Sequence, residues 1–272
     1  MKTKKRIACF FTAGYTELNS MKLFMKKINS QVEYIQLCPI GTRRSKDTIK
    51  NRHVDNIKTQ QNGLTGPGLI EFVLKFVETK RFQEEDYDAI LIEDDKDDRF
   101  LSIHADGTGI FEQIKWDEFK TNIRENLNKV CPNLPIIFFY AAPEVESWFL
   151  ADFENSFGSV YRTELSSQEN EFFKVRFRKH TNDFVLTNRY KDCIEQYGYF
   201  NGKYHKLSTQ IQDALLANDF LQEYQPEKSH SKISYSKRIQ GEEMLRQIDP
   251  IIVSQYCTTY FKEGFLALKS FE

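Results

Sequence analysis

The 272-residue sequence has no apolar run approaching the roughly 20 residues of a membrane span, so no helical membrane segment is expected. Cysteine is sparse and unpaired: five residues, at positions 9, 38, 131, 193 and 257, form neither a CxxC pair nor a Cys/His cluster. A structural zinc site therefore lacks ligands at the usual spacing. The expectation is a reducing cytoplasm in which these cysteines serve as small core residues. The amino-terminal MKTKKRIACFF starts basic, yet Thr12, Gly14, Thr16 and Glu17 arrive too soon for a signal-peptide core. Signature loops are missing as well. GLTGPG lacks the Lys and Ser/Thr of a phosphate loop, and GxGxxG, GxSxG and HExxH do not occur. Net charge is nearly absent, with 38 basic against 39 acidic residues, which excludes a strongly basic histone-like binder.

What the sequence does contain is aromatic mass, 23 Phe and 13 Tyr, enough to exclude intrinsic disorder. Apolar runs at Ile7–Phe11, Val32–Leu37, Asp88–Ile92 and Leu134–Tyr140 read as buried strands. Between them lie helical stripes: Leu18, Met21, Met25 and Ile28; then Leu69, Ile70, Val73, Leu74 and Val77; then Trp116, Phe119, Ile123, Leu127 and Val130. Continuous apolar strands alternating with helices predict an α/β fold, a mostly parallel four-stranded sheet flanked by helices. The polar stretch 41–62 is expected to be a long exposed loop, functional or mobile in character. Beyond residue 155 the alternation fades, and helices are expected near 207–223, 236–248 and 250–268. Two regions follow: an α/β domain over 1–155 and a mainly helical C-terminal region over 156–272.

The carboxylates are placed where such a fold binds ligands. Glu17 lies just after strand one, and LIEDDKDDR sets Glu93, Asp94, Asp95, Asp97 and Asp98 directly after strand three. Open parallel sheets bind ligands at the carboxyl ends of their strands, so both groups gather at one edge. Hard oxygen ligands converging there suit Mg²⁺ or Mn²⁺. Residues 84–98 carry nine acids and one lysine, a charge of -8. So many like charges need a cation or a basic partner to offset them. A Glu at a helix start also favours the helix dipole, and an acidic run also occurs as a solvated loop.

An acidic residue in a Gly-containing turn after strand one, followed by a DxD-type motif after strand three, resembles the Toprim fold of topoisomerases, primases and overcoming-lysogenization-defect nucleases. The segment PEVESWFLAD, with Glu146, Trp148, Ala151 and Asp152, resembles the ExW-hydrophobic-hydrophobic-AD signature of an uncharacterised bacterial Toprim-like family found in restriction and phage-defence neighbourhoods. The resemblance covers most of the first 155 residues, with a weaker echo in SYSKRIQGEE at 234–243. It implies Mg²⁺- or Mn²⁺-dependent phosphodiester cleavage of DNA or RNA, with Glu17, Asp95 and Asp97 as candidate catalytic residues. The candidate metal ligands are Glu17, Glu93, Asp94, Asp95, Asp97 and Glu146. The first Asp of the motif corresponds to Glu93 or Asp95 and the second to Asp95 or Asp97. Glu146 and Asp152 stand six apart and do not share a helical face, so Glu146 is assigned nearer the metal and Asp152 to structure. Trp148 and Phe149 are assigned to the core. The alternative is a non-catalytic sensor or partner-binding subunit of a defence system; an enzyme acting on small phosphates is a third possibility.

Basic stretches supply candidate phosphate contacts. The loop with Arg43 and Arg44 carries +4 over residues 41–58, and FKVRFRKH, read as a strand, alternates Phe173, Val175 and Phe177 with Lys174, Arg176 and Arg178. Such a row follows a nucleic-acid backbone with salt-sensitive affinity; solubilising surface charge is the plainer assignment. His104, a few residues after the acids, is a candidate acid–base group or a loop histidine.

Overall fold

The computed structural model describes residues 4–12, 14–39, 64–103, 109–187, 194–196, 199–200, 203–217, 220–228 and 233–272. Its centre is an all-parallel sheet of β1 (Arg6–Phe10), β2 (Glu33–Cys38), β3 (Ala89–Asp95) and a strand at Ile136–Ala141, in the order β2-β1-β3-β6 once two short strands, β4 (Leu101–Ile103) and β5 (Gly109–Phe111), are counted. Those two form an antiparallel hairpin outside the main sheet; the sequence pattern had not marked it. The expected α/β architecture is present.

Alternation along each strand divides the core into two layers. Ile7, Cys9, Ala89, Leu91, Ile137 and Phe139 face one side, where they meet Met21, Phe24 and Met25 of α1 (Tyr15–Ile28). Ala8, Phe10, Ile90, Ile92, Phe138 and Tyr140 face the other, covered by α2 (Gly66–Val77) and α3 (Gln113–Asn128). Pro67 in the first turn of α2 has a preset backbone angle that suits a helix start.

Strand β3 runs three residues further than its apolar stretch predicts. Glu93, Asp94 and Asp95 are part of it, pairing with Phe139, Tyr140 and Ala141 of β6, and all three are buried. The acidic burst therefore does not follow strand three; half of it lies within the strand. The -8 cluster also divides. Glu84–Asp86 form a short 3-10 turn at the opposite end of β3, where Asp88 accepts from the Arg6 backbone N–H at 2.8 Å and Asp86 faces the Arg6 guanidinium.

After β6 come α4 (Glu146–Ala151), α5 (Phe157–Val160) and α6 (Ser167–Thr187). Helix α6 corrects the strand reading of FKVRFRKH. Asn170, Phe173 and Phe177 are buried on one helical face, and spacings of three and four outrank the apparent alternation. Val175, assigned inward by the strand pattern, is 66% exposed. The hairpin β7 (Tyr199–Phe200) and β8 (Lys203–Tyr204) precedes α7 (Leu207–Ala217) and α8 (Phe220–Tyr224). A π-helical turn, Lys237–Gly241, leads into α9 (Glu242–Gln247), followed by α10 (Pro250–Tyr256) and α11 (Phe261–Lys269). The expected C-terminal helices are thus present, in shorter pieces.

These last helices cover the α1 side of the sheet. Phe261 of α11 packs edge-on against Phe139 and Trp148, and Phe24 stacks on Trp148. Trp148 and Phe149 are fully buried core residues, as assigned. Cys9, Cys38, Cys131 and Cys257 are buried and form no disulfide; Cys193 lies outside the described residues. Among the described residues no helix is long and apolar enough to cross a membrane.

Helix α11 crosses β6 so closely that a Cβ at Gly264 would sit 2.5 Å from the Phe138 carbonyl oxygen and 2.7 Å from the Phe139 ring. Gly264→Ala is therefore expected to destabilise the fold by about 1–3 kcal/mol, read as a lowered urea midpoint with unchanged slope.

Candidate functional site

Position within β3 separates the acids. Glu93 and Asp95 share the parity of Leu91 and face α1, whereas Asp94 shares that of Ile92 and faces α2 and α3. Asp94 is consumed by structure. Its carboxylate accepts the Gly66 backbone N–H at 2.9 Å and the Arg99 guanidinium at 2.6 Å, tying the start of α2 to the sheet. Burial pushes its pKa up, opposed by Arg99 and by the Gly66 N–H.

On the α1 side, Glu93 Oε2 accepts the Thr12 backbone N–H at 3.1 Å, while its Oε1 is buried with no hydrogen-bond partner. Asp95 Oδ1 accepts the Val145 N–H at 3.1 Å, one residue before α4 begins. Glu17 projects from the first turn of α1, where it is 3% exposed. The turn Glu144-Val145-Glu146 after β6 adds two more carboxylates. Glu144 caps the start of α7 by accepting from the Ser208 N–H at 3.0 Å. Glu146 accepts the Tyr235 hydroxyl at 2.6 Å, and its Oε2 is buried and unpartnered.

Lys237 reaches into this group from the π-helical turn. Its ammonium lies 3.5 Å from Glu144 and 3.4 Å from Glu146, and its backbone carbonyl accepts the Thr16 hydroxyl at 3.0 Å. Burial works against its charge, but Glu146, Asp95, Glu144 and Glu17 outweigh burial and hold its pKa above the ordinary lysine range. The same carboxylates are pushed the other way. Burial, reinforced by neighbouring acids, raises Glu93 and Asp95 well above the ordinary range, and burial also raises Glu146. Glu17 rises to about 7, through burial first, with Lys237 and its own backbone N–H opposing and Glu146 and Glu144 adding.

The structure thus gathers Glu17, Glu93, Asp95 and Glu146 of the expected set at the carboxyl edge of the sheet. Asp94 stands on the opposite face of β3. Asp97 lies past the strand end in a left-handed conformation at φ 51°, its N–H donating to the Pro143 carbonyl at 2.7 Å. Asp152 has the structural role assigned to it: it accepts the Asp249 N–H at 2.6 Å and the Asn155 amide. Two members of the group had no assignment from sequence. Glu144 stands two residues before Glu146 in PEVE, a visible though unspecific signal. Lys237 is some ninety residues further on, and only the tertiary fold brings it here.

The basic candidates of α6 are paired with acids rather than arrayed as a row. Lys174 bonds Glu154 and Glu171, Arg178 bonds Glu154, and Arg176 bonds Glu223. Arg43, Arg44 and His104 lie outside the described residues. No family model, curated protein or solved structure matches the chain.

A hard divalent cation suits the donor chemistry here, since the inward atoms are carboxylate oxygens and two of them, Glu93 Oε1 and Glu146 Oε2, are buried without partners. Among the described residues, however, no three acidic, His or Cys side chains stand at the spacing that encloses an ion; Glu144 and Glu146 pair with the Lys237 ammonium instead.

A carboxyl whose folded pKa exceeds its unfolded value stabilises the fold fully below the unfolded value, and that contribution disappears as pH rises through the folded one. For Glu17 the window runs from its ordinary 4.5 to about 7. In metal-free protein, Glu17→Gln is expected to remove part of the loss of thermal stability across this window. An equally steep decline in the variant counts against a raised Glu17. Gly14→Ala places a Cβ 2.0 Å from Glu17 Oε2, so it is expected to displace that carboxylate and reduce the same pH dependence.

Proposed function

We propose that this chain is a metal-dependent phosphodiesterase of the Toprim-like class. More particularly, we read it as a nuclease that cleaves DNA or RNA with Mg²⁺ or Mn²⁺ in the cytoplasm, in the setting of phage defence. The observation that carries the reading is the convergence of Glu17, Glu93 and Asp95 on one face of the sheet's carboxyl edge, where open parallel sheets hold ligands. Four buried cysteines that form no disulfide support the reducing compartment.

On this reading Glu17, Glu93 and Asp95 would supply carboxylate oxygens to the ion, with Glu146 at the edge of the site. The bound ion would polarise a phosphodiester and offset charge on the attacking and leaving oxygens. The chain's own contribution is orientation and exclusion of water. Backbone N–H groups of Thr12 and Val145 fix one oxygen each of Glu93 and Asp95, and the other oxygen of Glu93 has no hydrogen-bond partner. Alternatively Glu17, its pKa raised to about 7 in the metal-free protein, would accept a proton at neutral pH instead of binding the ion. The second reading, a non-catalytic sensor or partner-binding subunit, is favoured by Lys237, which already compensates part of the acidic charge.

Incubation with plasmid, single-stranded DNA and tRNA in Mg²⁺ or Mn²⁺ separates the two. Cleavage is expected, abolished by chelation, and reduced about a hundredfold or more by Glu17→Gln or Asp95→Asn in variants that keep the wild-type circular dichroism. Undiminished cleavage by these folded variants overturns the assigned site. No cleavage of any substrate, with no stabilisation by either metal, leaves the binding-subunit reading.

A further inference from the structure

The π-helical turn Lys237–Gly241 sends three consecutive side chains into different surroundings. Lys237 enters the acidic group. Arg238 is exposed, and its guanidinium lies 5.7 Å from the ring centroid of half-buried Tyr15, a cation–π spacing. Ile239 is 66% exposed and lines a cavity of about 510 Å³, a size typical of small-ligand pockets. π-helical turns are frequent at functional sites.

The ring and the guanidinium are held together by their neighbours. Thr16, next to Tyr15, donates its hydroxyl to the carbonyl of Lys237, next to Arg238. The turn approaches α1 so closely that a Cβ at Gly241 would stand 2.9 Å from Thr16 Oγ1. Tyr15 is close in sequence to Glu17, and Arg238 follows the lysine that pairs with Glu144 and Glu146. This platform therefore borders the carboxyl edge of the sheet. The cavity beside it suits a base better than a phosphate. Val160 and Ile239 give it apolar walls, while Glu164 and Glu243 (the latter also paired with Arg246) disfavour an anion inside. Gln240 Oε1 accepts the Ser236 N–H at 2.9 Å, which leaves its NH₂ group as a donor. Gln247 donates to Glu243 at 2.7 Å, which leaves its carbonyl as an acceptor. A donor and an acceptor between apolar walls match the edge and the faces of a nucleobase. Arg162 on the cavity rim, with Arg238, supplies charge for phosphates outside.

We propose that this surface binds a single-stranded nucleic acid, one base stacking on Tyr15 and Arg238 and another entering the cavity beside Ile239. Bases of every kind stack on aromatic rings and guanidinium planes. Only an unpaired base can enter a cavity and present its edge to Gln240 and Gln247. The inference rests on the nucleic-acid reading above and narrows its substrate to single strands. It needs no metal ion at the carboxylates.

Fluorescence anisotropy of short labelled DNA and RNA strands with the full chain, in EDTA, tests the idea without a metal. Single strands are expected to bind about tenfold or more tighter than a duplex of the same sequence. Tyr15→Ala and Ile239→Asp are each expected to weaken that binding about tenfold. Lys80→Gln, past the far end of α2, is expected to leave it unchanged. On wild-type protein, an irradiated iodouracil-substituted strand is expected to crosslink to Tyr15, read by peptide mass, a measurement that does not depend on a variant folding. Wild-type affinity in folded Tyr15→Ala and Ile239→Asp, tighter binding of duplex, or crosslinks that miss the Tyr15 peptide overturn the platform while leaving the nuclease reading intact. Binding that follows the expected pattern, without cleavage in Mg²⁺ or Mn²⁺, upholds the platform and overturns the catalytic reading. Absence of binding to any nucleic acid by wild type overturns both.

Discussion

Burial of carboxylates at the carboxyl end of β3 is the constraint around which the rest of the molecule is arranged. Three consecutive acids in a central strand, all buried, would be prohibitive if left charged and unpaired. The chain answers differently on the two faces. Facing α2, Asp94 is met by a helix-start N–H and a guanidinium, a closed arrangement with its oxygens satisfied. Facing α1, Glu93 and Asp95 receive one backbone N–H each, and Asp95 shares the field of Lys237 with Glu17, Glu144 and Glu146. One face is a structural joint; the other retains unsatisfied capacity.

That asymmetry gives the site its chemical character. Raised carboxyl pKa values and unpartnered oxygens occur together on the α1 side, and perturbed groups of this kind cluster where proteins do chemistry. The cost is offset by packing close by: Trp148, Phe139, Phe24 and Phe261 form a fully buried aromatic cluster beneath Glu146 and α1. The C-terminal helices contribute to both layers of this arrangement. They complete the aromatic core through Phe261, and through Tyr235 and Lys237 they supply polar partners to the acids.

The α/β class was legible because it rests on local periodicity. Continuous apolar runs and helical stripes survive any rearrangement of their surroundings. The hairpin of β4 and β5 was not legible, since strands of three residues carry no periodic signal. In α6 the alternation of Phe with Lys and Arg mimicked a strand over six residues. Burial of Asn170, Phe173 and Phe177 along one face shows the longer helical period prevailing. The summed charge of residues 84–98 was misleading for a related reason: a strand of seven residues separates its ends, so neighbours in sequence stand at opposite edges of the sheet.

The sequence by itself determined that acids would stand after the apolar stretches of strands one and three, and hence that carboxylates would collect at one edge of a parallel sheet. Strand parity and tertiary contact decided which of them stand together. Alternation turned Asp94 away from Glu93 and Asp95, and the close of β6 brought Glu144 and Glu146 alongside. Lys237, separated from Glu17 by most of the chain, reached the group only through the packing of the last helices on α1. Periodicity is a property of neighbours along the chain, whereas charge compensation depends on distance in space.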